Sequence, residues 1–196
     1  VRLTLTLEVP GPFELAIRIP GWARGEAMPT ALYTFLDTVE DKPVLKVNDE
    51  AVALDVRDGY ARVRRDWKDG DTVALALPMP VRRVVAHEAV TENKGRVALQ
   101  RGPIVYAVEG ADNDDRVFDL VLPDPAALGV EFRSDLLNGV AVVSGTAVAL
   151  SKDAAGKAFE TPRPFLAVPY YAWANRGPGQ MLVWLPRSEE HTSDSS

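Results

Sequence analysis

The sequence contains no cysteine and only two histidines, His87 and His191. The absence of cysteine excludes disulfides, thiol nucleophiles and thiolate-bound metals within this chain. Two histidines are too few for a histidine-based catalytic or metal-binding cluster. We therefore expect no catalytic residue, no metal site and no cofactor in this chain.

Basic residues and long apolar runs are also scarce. The formal net charge of −6 disfavours nucleic acid as a partner, because nucleic-acid binding depends on Lys and Arg that neutralise phosphates. No apolar run approaches the roughly 20 residues that a membrane-spanning helix needs, so no membrane partner is expected. A hydrophobic content of 46% in 196 residues indicates a soluble globular protein, cytoplasmic or secreted, of one large or two small domains.

Short segments of alternating apolar and polar residues are frequent. Residues 3–7 and 13–19 alternate on either side of the turn at residues 10–12, which predicts a β-hairpin. Asp58-Gly59 and Asn138-Gly139 are further hairpin signals, because both dipeptides tolerate the positive φ of tight turns. With no convincing long helix, the pattern predicts an all-β fold of two consecutive antiparallel β-sandwich, jelly-roll-like domains.

Two stretches are less regular. Residues 30–37 follow a proline and predict a short helical turn with Leu32, Phe35 and Leu36 on one side. Residues 151–161 are polar and predict a mobile loop.

A change of composition near residue 82 divides the chain. We predict a first sandwich over residues 1–82, a second over residues 83–187, and a disordered, non-native tail over residues 188–196, which has almost nothing to bury. The chain also opens directly on a strand pattern at Val1, so we expect a fragment of a longer polypeptide. The residues assigned to the interdomain seam are Arg82, Arg83, His87, Gln100 and Arg101.

Carboxylates are numerous but poorly placed for catalysis. Glycoside hydrolysis needs two carboxyls held across one sugar, one of them with a raised pKa. Asp112, Asp114 and Asp115 lie in a polar stretch, which indicates a solvated loop, with weak Ca²⁺ binding as the alternative. His87 and Glu88 are adjacent and point to opposite faces of a strand, which favours hydrogen bonding over proton transfer.

Two other groups of side chains have alternative interpretations. The basic stretch at residues 62–68 suits a charged outer strand face, with an anion or partner contact as the alternative. Aromatic rings stack on sugar faces, but they also fill sandwich cores and domain interfaces. The candidate sugar or domain-interface contacts are Tyr170, Tyr171, Trp173, Asn175 and Arg176.

Five segments carry a family resemblance: IPGWA (Ile19–Ala23), DGY (Asp58–Tyr60), DWKDGDTVALALPMPVRRV (Asp66–Val84), KGRVALQRGPIVYAVE (Lys94–Glu109) and PYYAWANRGPGQMLVWLP (Pro169–Pro186). In this order they resemble the C-terminal part of glycoside hydrolase family 127, the β-L-arabinofuranosidase-like proteins. The resemblance implies an N-terminal (α/α)6-barrel catalytic domain, absent here, followed by two β-sandwich domains. It also implies that zinc and the catalytic cysteine and glutamate belong to the barrel, so none of those residues can be carried over to this chain.

We therefore expect a non-catalytic fragment that scaffolds its own missing barrel in a retaining glycoside hydrolase. The alternative is a carbohydrate-binding module whose exposed aromatics contact arabinose-containing glycans. Because a missing barrel would leave apolar surface exposed, self-association into a homo-oligomer is also expected.

Overall fold

The structure is a computed structural model that describes residues 1–188. Most of the tail predicted to be disordered, residues 189–196 with His191, lies outside the described residues. Within residues 1–188 there is no α-helix, and the helical turns are the 3-10 segments Gly21–Arg24, Thr91–Asn93, Gly110–Asp112 and Tyr170–Ala172. None of the helical segments in this part of the chain has the length and hydrophobicity needed to span a membrane.

The described chain is built from short strands, which confirms the all-β prediction. In chain order they are β1 (Arg2–Thr4), β2 (Gly11–Arg18), β3 (Tyr33–Phe35), β4 (Val44–Val47), β5 (Glu50–Val52), β6 (Val56–Arg57), β7 (Tyr60–Trp67), β8 (Thr72–Ala76), β9 (Val81–Ala86), β10 (Arg96–Arg101), β11 (Ile104–Glu109), β12 (Leu120–Pro123), β13 (Leu128–Arg133), β14 (Val140–Lys152), β15 (Ala158–Pro169), β16 (Met181–Leu182) and β17 (Leu185–Ser188).

The chain forms two compact units. Unit 1 contains residues 1–29 and 38–80, and unit 2 contains residues 30–37 and the chain from residue 81 onward. Residues 30–37 therefore interrupt unit 1 in sequence but belong to unit 2.

Unit 1 consists of two sheets on a common core. One sheet has the order β1-β8-β4-β5 and the other β2-β7-β6. Both contribute to a core that includes Trp67 and Ile19, each fully buried, and Leu45. Alternation of apolar residues on each strand places one face of each sheet against this core.

The predicted hairpin between residues 3–7 and 13–19 is wrong. β1 pairs with β8 (Leu3 opposite Val73), whereas β2 pairs with β7 (Leu15 opposite Val63), so the two segments lie in different sheets. Residues 5–10, with bends at Glu8 and Val9, carry the chain from one sheet to the other, and Gly11 and Pro12 already belong to β2. Alternation along a strand does not specify the strand's partner.

The two dipeptide hairpins are confirmed. Asp58 and Gly59, with φ values of 53° and 79°, join β6 to β7. Asn138 and Gly139, with φ values of 63° and 97°, join β13 to β14. Residues that tolerate the left-handed region occupy the positions that require it.

Unit 2 contains a sheet that closes on itself. The strand order is β16-β11-β15-β14-β12-β17-β10-β9-β3, with β13 on β14, and an additional pairing joins β10 to β11. The strands β11, β15, β14, β12, β17 and β10 therefore form a closed ring, in which β12 and β17 are parallel. Every strand of this ring contributes to one apolar core, which includes Leu99, Val108, Leu122, Phe165 and Leu185.

Residues 30–37 do not form the predicted helical turn. Tyr33–Phe35 is strand β3, which pairs with β9 so that Phe35 lies opposite Val84. The guanidinium of Arg82 lies 3.8 Å above the centre of the Phe35 ring. Pairing with β9 and this cation–π contact override the local helical pattern.

The predicted loop at residues 151–161 is largely strand. β14 and β15 continue their antiparallel pairing to Lys152 opposite Ala158, which leaves residues 153–157 as the turn. The sequence there is polar because this end of the hairpin is exposed on both faces.

Asp71 gives unit 1 a specific dependence on pH. Its carboxylate accepts hydrogen bonds from the Lys68 backbone N–H (2.9 Å) and the Asn48 side-chain amide (2.8 Å). The backbone bond, followed by the amide bond, holds the pKa of Asp71 below its usual value. The resulting stability is fully present above the unfolded-state pKa of about 4 and is lost as the pH falls through the lower folded-state pKa.

We expect the stability of unit 1 to fall less steeply at acid pH in Asp71→Asn than in the unaltered chain. The urea midpoint of unit 1, measured across about pH 2–7, reports this change. Asp66→Asn is the matched control, because the exposed Asp66 carboxylate accepts no hydrogen bond within residues 1–188. An unchanged pH slope in the Asp71 variant would contradict this assignment.

Candidate functional site

The predicted contact residues Tyr170 to Arg176 lie on one loop of unit 2, which we call the aromatic loop (residues 170–179). It begins directly after β15 with the 3-10 turn Tyr170–Ala172 and precedes β16. Pro169 at its start lies opposite Tyr106 of β11, so strand pairing fixes where the loop begins.

An ion-pair cluster of Arg176, Glu109 and Asp112 anchors the second half of this loop, which contains Arg176. Arg176 donates Nη1 to Asp112 Oδ1 at 2.6 Å and Nη2 to Asp112 Oδ2 at 2.5 Å, and Nη2 also donates to Glu109 Oε2. The Glu109 side chain is 6% exposed and the Asp112 side chain 12%. Hydrogen bonding to Asp112, reinforced by Glu109, raises the pKa of Arg176 above its usual value, so the guanidinium stays charged.

Buried hydrogen bonds extend the ion-pair cluster to the backbone. The second Glu109 oxygen accepts the Ala174 N–H at 3.0 Å, and Ala174 has a φ of 62°. Asn113, buried, donates to the carbonyl oxygens of Glu109 (2.7 Å) and Leu166 (2.9 Å) and accepts the Leu166 N–H (3.0 Å). These bonds satisfy backbone groups that would otherwise be buried without partners.

Three aromatic rings remain accessible on the loop. Tyr170 and Trp173 are stacked, with ring centroids 6.0 Å apart and an interplanar angle of 3°. Tyr170 is 47% exposed, Tyr171 69% and Trp173 39%. Asn175 donates to the carbonyl oxygen of Ala172 at 2.9 Å, so its amide supports the loop.

The residues predicted to form the interdomain seam have different hydrogen-bond partners. Arg82 donates to Asp37 at 3.0 Å, and Arg83 points to the other face of β9, where it donates to the carbonyl oxygen of Ala126. Gln100 lies opposite Arg82 on β10 and donates to the carbonyl oxygen of Gly102 at 2.8 Å. Each contact is made inside unit 2, and the interdomain role of these residues stays a prediction.

His87 directly follows β9, and Arg101 is the last residue of β10. His87 is exposed, and its Nδ1 accepts the Ala89 N–H at 3.1 Å, so it has a local hydrogen-bonding role. Arg101 lies near Tyr106, a buried residue whose pKa is raised by burial and, more weakly, by Tyr171, while Arg101 opposes the shift. The pairing of β10, β11 and β15 thus brings Arg101 near the start of the aromatic loop.

The acidic stretch at residues 112–115 differs from the solvated loop that its composition predicts. Asp112 is mostly buried against Arg176, while Asp114 is 92% exposed. Within residues 1–188 no three His, Cys, Asp or Glu side chains lie close enough together to hold a metal ion. The donor set of residues 1–188, which lacks cysteine, therefore does not fit the zinc that the family resemblance implies.

Glu109 and Asn113, the two most buried polar residues of this region, are not among the site residues predicted from the sequence. Both follow the apolar run of β11, and Arg176, the ion-pair partner, is 67 residues from Glu109. The sequence does show a carboxylate, Glu109, at the end of an apolar strand. A buried carboxylate needs an ion-pair or hydrogen-bond partner, so this position could have been predicted to have one.

Comparison with known proteins agrees with this architecture. Residues 1–79 match the GH127 middle domain of β-L-arabinofuranosidase, and residues 81–186 match the glycoside hydrolase family 127 C-terminal domain. The non-reducing end β-L-arabinofuranosidase of Bifidobacterium longum subsp. longum is 35% identical over 183 residues, which are 87% of this chain and 25% of that protein.

Two solved structures have the same fold and a substantial sequence identity. A GH127 β-arabinofuranosidase superposes with a TM-score of 0.90 at 40% identity, over 95% of this chain and 29% of that chain. The GH127 β-L-arabinofuranosidase of Geobacillus stearothermophilus T6 gives a TM-score of 0.83 at 41% identity, over 95% and 28%. The chain thus spans about a quarter of the length of its curated relative. The family resemblance is confirmed: this chain belongs to glycoside hydrolase family 127 and matches its middle and C-terminal domains.

Proposed function

We propose that this chain is the non-catalytic part of a β-L-arabinofuranosidase-like glycoside hydrolase and that it packs against and stabilises a catalytic barrel. The observation that carries the proposal is the extent of the family match. Two accessory-domain matches cover residues 1–79 and 81–186, whereas the chain corresponds to only 25% of the curated relative. The remaining length of the relatives is available for a catalytic domain.

The side-chain inventory supports a non-catalytic role. The chain has no cysteine to act as the nucleophile that the family resemblance implies. Glu109 and Asp112, the buried carboxylates of the aromatic-loop region, are both ion-paired with Arg176. Zinc binding and bond cleavage therefore belong to the barrel in this proposal, with this chain as its packing partner.

Exposed apolar side chains in unit 2 suit a docking role. Phe132 is 67% exposed on β13, and Phe118 is 62% exposed before β12. A contact with another domain would remove this apolar surface from water. In this proposal they are covered in the intact enzyme.

A second candidate function is glycan binding by the aromatic loop. The stacked Tyr170 and Trp173 rings and the exposed Tyr171 ring favour it, because flat, anchored rings present apolar faces to sugars. In this alternative, the ion-pair cluster around Arg176 holds a recognition surface for arabinose-containing glycans.

A domain replacement tests the scaffolding role. We expect this chain alone to show no hydrolysis of a β-L-arabinofuranoside. A chimera in which it replaces the matched quarter of the Geobacillus enzyme should retain activity within about tenfold of that enzyme, a change of ~1.4 kcal/mol in the barrier.

The Geobacillus enzyme truncated before its middle domain is the control, and it should lose thermal stability as well as activity. Turnover by the isolated chain would contradict the proposal. So would a chimera no more stable than the truncated enzyme.

A further inference from the structure

A shallow groove of about 340 Å³ lies on unit 2, and its lining includes Met181, two residues after the end of the aromatic loop. One side is polar and contains Glu92, Asn93 and Arg96, and the other is apolar and is formed by residues 181–184. Its volume lies at the lower end of the range of small-molecule sites, which are mostly apolar with a few placed polar groups.

Strand pairing builds this groove. Arg96 is the first residue of β10 and lies opposite Pro186 of β17, and its Nη1 donates to the carbonyl oxygen of Trp184 at 3.1 Å. Glu92 and Asn93 belong to the 3-10 turn Thr91–Asn93 that precedes β10. The two sides of the groove are therefore tied together by backbone pairing and by the guanidinium of Arg96.

The Trp184 ring is supported from an unexpected part of the chain. Tyr33 of β3 packs against it, with ring centroids 5.7 Å apart and an interplanar angle of 33°. β3 is itself held by pairing with β9. The segment at residues 30–37 thus fixes the aromatic wall of the groove, which gives this excursion from unit 1 a specific role.

The polar groups of the groove have unused hydrogen-bonding capacity. Within residues 1–188 the Glu92 carboxylate forms no ion pair, and neither it nor the Asn93 amide makes a side-chain hydrogen bond. Arg96 uses Nη1 for the Trp184 carbonyl and makes no ion pair in this part of the chain. An acceptor, an amide and donor N–H groups therefore stand beside one apolar wall.

This combination selects for a neutral, hydroxyl-rich ring. A carboxylate ligand would meet Glu92, and an ammonium ligand would meet Arg96, whereas a hydroxyl group can both accept from Arg96 and donate to Glu92. The C–H face of a sugar ring matches the indole of Trp184 and its aliphatic neighbours. We propose that the groove binds one neutral monosaccharide unit of a glycan.

L-Arabinose is the probe that follows from the proposed function, and the choice of this sugar rests on it. Calorimetric titration of the full chain with L-arabinose should show saturable binding. Trp184→Ala should weaken it by about tenfold, and Glu92→Gln by roughly three- to tenfold, because each removes one recognition element. Trp184→Phe keeps a ring beside Tyr33 and should retain most of the affinity.

Glu88→Gln is the matched control, because Glu88 is exposed on the segment that precedes the same turn and does not line the groove. Its affinity should equal that of the unaltered chain. Thermal unfolding of each variant checks that the fold is intact, and Glu92→Gln, at an exposed position, supplies a test independent of the tryptophan.

Two outcomes would overturn the proposal. Binding that survives Trp184→Ala and Glu92→Gln but is lost in Trp173→Ala would assign the sugar to the aromatic loop. Absence of saturable binding would exclude the groove as a sugar site at the concentrations used. Neither outcome changes the domain-replacement result, so failure here is distinguishable from failure of the scaffolding role.

Discussion

Replacing Arg176 by methionine should lower the free energy of unfolding by about 3 kcal/mol, the lower end of the range for breaking a buried ion pair. The substitution keeps the aliphatic stem but leaves two carboxylates without their cation. Glu109, with a side chain only 6% exposed, would retain the Ala174 N–H as its side-chain partner. The lower end of the range applies because the Arg176 side chain is itself 23% exposed. Urea unfolding followed by tryptophan fluorescence measures the change.

Arg133→Met is the matched control. Arg133 also makes a two-pronged contact with one carboxylate, that of Asp135, but these side chains are 37% and 66% exposed. Solvent screens such a pair, so we expect a much smaller loss of stability. Adding Glu109→Gln to Arg176→Met should recover part of the loss, because the buried charge is removed with its partner. Equal losses for Arg176→Met and Arg133→Met would contradict the role assigned to burial.

The ion-pair cluster shows why this site could be predicted only in part. Residues Tyr170, Tyr171 and Trp173 stand out in the sequence as a group, and the structure places them on one exposed loop. Asp112, in contrast, lies among acidic neighbours in a polar stretch, so composition suggests a solvated side chain. Its partner Arg176 is 64 residues away, and only the pairing of β11 with β15 brings the two segments together.

Local turn chemistry was a reliable guide to the fold, and strand partnership was not. Asp58-Gly59 specifies its hairpin because the backbone conformation is determined within the dipeptide itself, whereas in the connection before β14 Leu137, with a φ of 50°, shares the left-handed conformation of Asn138 and Gly139. The turn predicted at residues 10–12 is equally well marked in the sequence, yet Gly11 and Pro12 belong to β2, and residues 5–10 connect different sheets of unit 1. Whether two successive strands pair depends on contacts distant in sequence, such as those of β1 with β8.

The segment at residues 30–37 illustrates a tertiary effect that overrides a local pattern. Leu32, Phe35 and Leu36 have a spacing compatible with a helical turn, but β9 offers an unpaired edge and Phe35 packs under Arg82. Backbone hydrogen bonds from β9 and an aromatic contact with Trp184 together outweigh the weak propensity of a few residues. Sequence alone could not show that this segment belongs to unit 2.

Replacing Trp67 by alanine should destabilise unit 1 by about 3–5 kcal/mol, the usual range for removing a buried Trp side chain. Trp67 is fully buried at the end of β7, in the core shared by both sheets. Its indole N–H donates to the Phe13 carbonyl oxygen at 3.0 Å, so the variant also loses a hydrogen bond that joins β7 to β2. Because unit 1 is a small domain, a loss of this size is a large fraction of its total stability. Hydrogen exchange of backbone amides in β2 and β7 measures the effect within unit 1.

Two further variants separate packing from hydrogen bonding at this position. Trp67→Phe removes the indole N–H but retains an aromatic ring, so we expect a loss clearly smaller than that of Trp67→Ala. Phe13→Ala removes the ring that packs on Trp67 at a centroid distance of 5.8 Å, but Phe13 is already 36% exposed and buries less apolar surface. Amide protection should therefore be highest in the unaltered chain, lower in Trp67→Phe and Phe13→Ala, and lowest in Trp67→Ala. If Trp67→Ala left the protection of β2 and β7 unchanged, Trp67 would not be the residue that couples the two sheets, and the stability of unit 1 would have to come from the aliphatic residues Leu45, Val47 and Leu75 that share its core.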